Sequence, residues 1–114
     1  MLPEIFMFCK RNSESYKKVG NGVQRRTLLY GNKTVMVEFK LSKGAVIEIH
    51  RHPEHEQTGY LVKGGLHFFI GQEDFDVQPG DSWCIPEGVD HRVEVLKNSH
   101  VVEVFSPVRE DYLP

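Results

Sequence analysis

Cysteine is scarce in this chain. Cys9 and Cys84 are the only two. Neither stands in a Cys-x-x-Cys or Cys-x-x-His arrangement, which excludes a disulfide framework and a zinc finger. Two reduced, partly buried thiols in a cytosolic protein are expected instead. A basic excess is also missing: 14 Lys and Arg stand against 16 Asp and Glu, a formal net charge of −2. Neither a nucleic-acid partner nor a polybasic membrane contact is expected from that balance. No apolar run approaches the roughly 20 residues that span a bilayer. The first ten residues carry no basic n-region and no small-residue cleavage site, so no secretory leader is read and a cytoplasmic location is expected. No window shows sustained helical periodicity, and there is no internal repeat, low-complexity tract or linker.

What remains is β-type sequence. The 114 residues, 39% hydrophobic and 26% charged, suit one domain with a modest core. Residues 1–9 are apolar enough for an edge strand, one that could pack on a partner, and residues 11–22 read as an irregular lead-in. From residue 23 short β runs recur between turn signals. Residues 24–30 precede Gly31-Asn32-Lys33, a hairpin turn. Residues 34–41 alternate, with Val35, Val37, Phe39 and Leu41 on one face and Met36, Glu38 and Lys40 on the other. Ser42-Lys43-Gly44 turns into a strand over 45–49. Runs at 58–63 and 66–70 flank Gly64-Gly65, a two-residue hairpin signal. Further strands are read at 75–77, 82–85, 91–96 and 100–105, the last two joined by Lys97-Asn98-Ser99. This division gives a lead-in over 1–22, a barrel over 23–105 and a non-strand tail over 106–114. Many short strands at even spacing argue for an all-β sandwich or barrel.

Two stretches carry the chemistry. His50 and His52 are two residues apart, so an extended chain puts both imidazoles on one side. Imidazole is the commonest protein ligand for first-row transition metals. Gln57 offers an amide oxygen five residues on. His91 follows Pro86 and Gly88, whose fixed and permissive backbones suit a turn that aims a side chain. Parity poses a problem, because in a regular strand Ile47 and Ile49 oppose Glu48 and His50. Either a bulge intervenes or a second subunit covers the outer face.

These residues sit in a frame that resembles the cupin superfamily. The first cupin motif reads Gly, five residues, His-x-His, three or four residues, Glu, six residues, Gly. Here it is Gly44, His50-Arg51-His52, Gln57 and Gly64. The second motif reads Gly, five residues, Pro-x-Gly, two residues, His, three residues, Asn. Here it is Gly80, Pro86-Glu87-Gly88, His91 and Val95. The resemblance runs over about residues 34–105 and implies an all-β double-stranded β-helix, a jelly-roll barrel. It also implies one divalent transition metal (Zn, Ni, Mn, Fe or Cu) on His50, His52, Gln57 and His91. Gln57 stands where the family has an acid. Glu56 is the alternative at the shorter spacing, but Gln57 keeps the interval to Gly64. Three imidazoles and an amide leave the full charge on the ion, which favours Lewis-acid work and anionic oxygen ligands.

A narrower resemblance is to small cupins of the pectin-degradation type. They carry His-x-His-Pro, a Glu-Gln pair, Tyr, Gly-Asp, and a C-terminal acid-x-Phe-x-x-x-Arg. Here these are His50 to Pro53, Glu56-Gln57, Tyr60, Gly80-Asp81, and Glu103, Phe105 and Arg109. The typical acid is Asp, so Glu103 is one methylene longer. The resemblance implies an isomerase that linearises a small unsaturated uronate or related carboxylated sugar. Glu103 would move the proton, and Arg109, Phe105 and Tyr60 would bind the anionic substrate. A homodimer is expected on other grounds, the apolar N-terminal run and the two-faced strand over 45–49. An Fe-dependent dioxygenase and a non-catalytic small-molecule-binding cupin are the competing readings. Arg25 or Arg26 could place one positive charge inside the barrel, and parity leaves open which. Trp83 is read as core or pocket wall, and His55, His67 and His100 as structural or solvent-facing.

Overall fold

The computed structural model describes residues 7–12 and 15–113. Among these residues eight strands form, all paired antiparallel. They are β1 (Lys17–Gly20), β2 (Val23–Tyr30), β3 (Val35–Leu41), β4 (Val46–His50), β5 (Glu56–Ile70), β6 (Glu73–Val77), β7 (Ser82–Ile85) and β8 (His91–Ser106). A 3-10 turn, η1 (Glu110–Tyr112), follows.

Two long strands organise the barrel, and here the structure corrects the sequence reading. Gly64-Gly65 is not a hairpin: β5 runs through it for 15 residues, and β8 runs through Lys97-Asn98-Ser99 for 16. Both strands bend where the pairing slips, between Leu61 and Leu66. The N-terminal half of β5 and the C-terminal half of β8 belong to one sheet, in the order β1-β2-β3-β8-β5-β7. Their other halves pair with β4 and β6 in a second sheet. The result is a jelly-roll barrel whose two walls share continuous strands.

Gly64 sits at the bend because the chains cross there at close range. A Cβ on Gly64 would lie 2.2 Å from Ser99 Oγ and 2.6 Å from the Asn98 carbonyl oxygen, and its φ is +108°. Ser99 Oγ accepts from the Gly65 N–H (3.1 Å) and donates to the Lys97 carbonyl (2.7 Å), pinning the two bends together. A double glycine is the same signal for a tight turn and for a crossing of this kind.

The alternation in β3 holds: Val35, Val37, Phe39 and Leu41 are buried, and Met36, Glu38 and Lys40 face outward. Leu61, Leu66, Ile85, Val93, Val101 and Phe105 complete one core between the sheets. Val95, in the asparagine position of the family pattern, is buried there too. The lead-in over 11–22 contains β1, a polar edge strand that alternation could not reveal. Of the N-terminal edge strand, residues 1–6 lie outside the described residues, and Met7, Phe8 and Cys9 form no strand. Cys9 and Cys84 are free thiols, and Cys84 is exposed rather than partly buried. Among the described residues no helix is long and apolar enough to cross a membrane.

Candidate metal centre

The parity problem at β4 is resolved by a bulge. Ile47 pairs with Val93 and His50 with His91, so three steps on β4 match two on β8. The extra residue turns both Ile47 and His50 toward the barrel cavity and leaves Ile49 outside, 64% exposed. His91 opens β8 directly across from His50. His52 follows in the loop, whose carbonyl accepts from the Gly88 N–H (3.0 Å). That bond ties the Pro86-Glu87-Gly88 turn of one motif to the histidine loop of the other, with Gly88 at φ +75°.

The three imidazoles converge. Ring centroids are 4.0 Å apart for His50 and His91, 5.0 Å for His50 and His52, and 5.2 Å for His52 and His91. One nitrogen of each lies within 4.8 Å of the others. Gln57, the second residue of β5, faces inward at 4% exposure, between Ile85 and Phe105, and lines the same cavity. Glu56 points out to solvent. The strand period of two therefore selects Gln57 over Glu56.

Hydrogen bonds fix the ligand atoms. His50 Nδ1 donates to the Glu48 carbonyl (2.7 Å) and His91 Nδ1 to the Val89 carbonyl (3.0 Å). Each proton on Nδ1 leaves an Nε2 lone pair for a metal. His91 Nε2 and Gln57 Oε1 are buried without a hydrogen-bond partner. Each such orphan costs about 1–3 kcal/mol. Two of them on one cavity, beside two further imidazoles, are the donors a divalent transition metal takes up. Burial, with the Arg109 charge second, lowers the His52 pKa to about 4, and burial lowers that of His91. Both rings are neutral at pH 7 and able to donate a lone pair.

Glu103 is built in beside this set. Trp83, Gly59 and Glu103 form one row across β7, β5 and β8. A Cβ on Gly59 would lie 2.2 Å from the Trp83 ring, so the indole crosses the row only because the middle residue has no side chain. Trp83 Nε1 donates to Glu103 Oε2 (3.2 Å), and Gln57 Nε2 donates to the same oxygen (2.5 Å). The carboxylate thereby holds the Gln57 amide with its NH2 inward to Glu103 and Oε1 directed away. Among the described residues nothing bonds to Glu103 Oε1. Glu103 lines the cavity, and burial raises its pKa above the usual carboxylate range. The sequence reading gives Trp83 as core or pocket wall, without this contact. The available signal was a glycine inside a strand.

A consequence follows for Gly59→Ala. The new methyl must displace the indole, which frees Glu103 and the Gln57 amide. We expect metal affinity to fall about 10- to 100-fold, the usual loss when the partner of a ligand is removed. Metal titration of both proteins by calorimetry checks this; equal affinities would contradict the role given to the row.

The remaining candidates divide. Phe105 is buried against His52 (centroids 5.8 Å) and lines the cavity. Tyr60 is not at the site: its neighbours Gly59 and Leu61 face inward, so Tyr60 falls on the outer face, 49% exposed. Arg109 is not an open clamp. Its Nε and Nη2 donate to the two oxygens of Asp111 (3.1 and 2.6 Å), and Nη1 stands 3.5 Å from His52 Nε2. Arg25 faces the cavity, whereas Arg26 is on the opposite face, bonded to Glu38 and the Lys10 carbonyl. His67 lies between Asp74 and Asp76, and His100 on Glu38, both away from the cavity.

A jelly-roll barrel that gathers three histidines and a glutamine at its inner wall defines a class, the barrels whose inner wall presents a cluster able to hold a metal ion. The family model of the cupin domain matches residues 37–106, and the chain belongs to the cupin family. The chain is 28% identical to the pectin degradation protein KdgF of Dickeya dadantii (strain 3937) over 99 residues, 86% of this chain and 90% of that one. The structure of KdgF from Halomonas sp. is 31% identical, covers 93% of this chain and 99% of its own, and superposes with a TM-score of 0.88. An RmlC-like cupin from Shewanella frigidimarina NCIMB 400 is 28% identical, with coverages of 95% and 96% and a TM-score of 0.89.

Proposed function

We propose that this cupin is a metal-dependent isomerase that opens the ring of a small unsaturated uronate or related carboxylated sugar. The observation that carries the reading is Glu103, a cavity carboxyl with one oxygen fixed by Trp83 and Gln57 and the other free to meet a ligand. The likeness to the pectin degradation protein KdgF of Dickeya dadantii supports the substrate class. His50, His52, Gln57 and His91 hold the metal. A bound divalent ion supplies Lewis-acid polarisation of a substrate oxygen. Glu103 accepts the proton of the anomeric hydroxyl as the ring C–O bond breaks, then returns a proton to the vinyl carbon as the enol becomes a ketone. The raised pKa suits both halves of that transfer. No atom is gained or lost, so no oxygen is consumed. Phe105 and Trp83 close the wall around the reacting atoms.

An absorbance assay on unsaturated galacturonate and its alginate-derived relative, with an oxygen electrode in parallel, tests the reaction. Loss of the unsaturated chromophore without oxygen uptake is expected. Oxygen uptake coupled to turnover would replace this reading with a dioxygenase.

The protein acts as a homodimer in this proposal. Met36, Tyr60 and Val62 stand exposed on the outer face of the larger sheet, among polar side chains such as Lys40, and a two-fold contact there would cover them. Light scattering should give twice the chain mass; a clean monomer at micromolar concentration would contradict it.

A further inference from the structure

The cavity that holds the candidate metal centre has a volume of about 360 Å³, enough for a monosaccharide. Its lining includes one acidic side chain, Glu103, and one arginine, Arg25. Arg25 lies on β2 opposite the inward residue Phe39, which sets its side chain toward the barrel. The wall around it is apolar, with Val23, Phe39, Leu41 and Val101.

Among the described residues Arg25 makes no hydrogen bond, and no carboxylate oxygen comes within 4.0 Å of its nitrogens. Asp111 is the nearby acid, and Arg109 occupies both of its oxygens. Glu103 is turned to Trp83 and Gln57. Across the β1–β2 edge, Arg25 pairs with Lys17, a second cation rather than an acid. What holds the guanidinium is Tyr112, whose ring lies 4.0 Å from Arg25 Cζ; Arg109 Cζ is 3.9 Å from the same ring. Cation–π contact fixes the plane of an arginine and leaves its edge N–H groups for a ligand. The half-buried Arg25 feels the charge of Asp111, but the oxygens of Asp111 are bonded to Arg109, so the N–H groups of Arg25 remain for an incoming anion.

We propose that Arg25, not Arg109, holds the carboxylate of the ligand. This rests on the reading that the cavity is the substrate site. Its ligand class is a sugar-sized monocarboxylate, received through the edge of Arg25 while the sugar oxygens face the histidine cluster. Arg109, neutralised by Asp111, braces the other face of Tyr112 and keeps η1 against Phe105, whose ring centroid is 5.2 Å from that of Tyr112.

The test compares D-galacturonate with its uncharged methyl ester by calorimetry on the metal-loaded protein. Wild type should bind the acid roughly 10- to 100-fold more tightly, the scale of a hydrogen bond to a charged group. Arg25→Gln should bring the ratio to about one with metal content unchanged, and Arg25→Lys should restore part of it. Arg109→Gln should keep the preference. A ratio that survives Arg25→Gln would overturn the proposal, because the metal or Arg109 would then hold the carboxylate. Equal binding of acid and ester by wild type, or no binding of either, would overturn it too. The reaction itself is read separately: acid preference without consumption of unsaturated galacturonate keeps Arg25 and removes the isomerase. Consumption with an unaltered preference in Arg25→Gln does the reverse.

Discussion

Replacing His50 and His91 together by alanine is expected to empty the metal centre. Wild type should carry about one transition metal per chain, and the double variant almost none, since only His52 and Gln57 would remain of a site that needs three or four ligands. The two rings come from paired strands with centroids 4.0 Å apart and supply two of the three imidazoles. The fold should survive, because both side chains line an existing cavity rather than fill the core. Elemental analysis gives the metal content, and thermal melting gives the fold. With metal at 100 times its Kd, wild type should gain about 2.7 kcal/mol of stability, while the double variant should show no metal-induced rise in Tm. Unchanged metal content in the double variant would remove the assignment of the ligands.

Glu103→Gln should lower turnover by roughly 10²–10⁴-fold, the range for one acid–base group, with the metal retained. The substitution keeps the length of the side chain. The amide oxygen can still accept from Trp83 Nε1 and Gln57 Nε2, as Glu103 Oε2 does. What disappears is the titratable proton. The loss should fall on kcat more than on KM, since the interaction matters at the transition state. Turnover and metal content measured on the same preparation separate the two roles of Glu103. Full turnover in Glu103→Gln would assign the proton transfer elsewhere, and loss of metal would make Glu103 chiefly a support for Gln57.

The strands of the barrel were legible where one face is buried. Alternation in 34–41 and turn signals at Gly31, Gly44 and Gly80 mark real boundaries. The crossing at Gly64 was not legible, because what requires the glycine is Ser99, thirty-five positions away and brought close only by folding. The inner wall followed a similar division. Gln57 could be chosen over Glu56 from spacing, and strand parity turns Gln57 inward and Glu56 outward. Tyr60 was misplaced because a period of two separates it from the site by a single residue. Arg25 and Arg26 were indistinguishable until pairing with β3 set their faces. Trp83 and Glu103 touch across an intervening strand, and only cross-strand register discloses that Gly59 is the gap between them. Residue types on one strand can be read from a sequence; which strands lie side by side, and in what register, is decided by the whole core.

The central claim is that a metal held by His50, His52, Gln57 and His91 is needed for the opening of an unsaturated uronate. The most direct measurement is the absorbance progress curve of unsaturated galacturonate with protein stripped by a chelator and then given back a divalent metal in steps. The account predicts no acceleration by the stripped protein and recovery that saturates at about one metal per chain. Equal rates before and after stripping, or no acceleration by the restored protein, would contradict it.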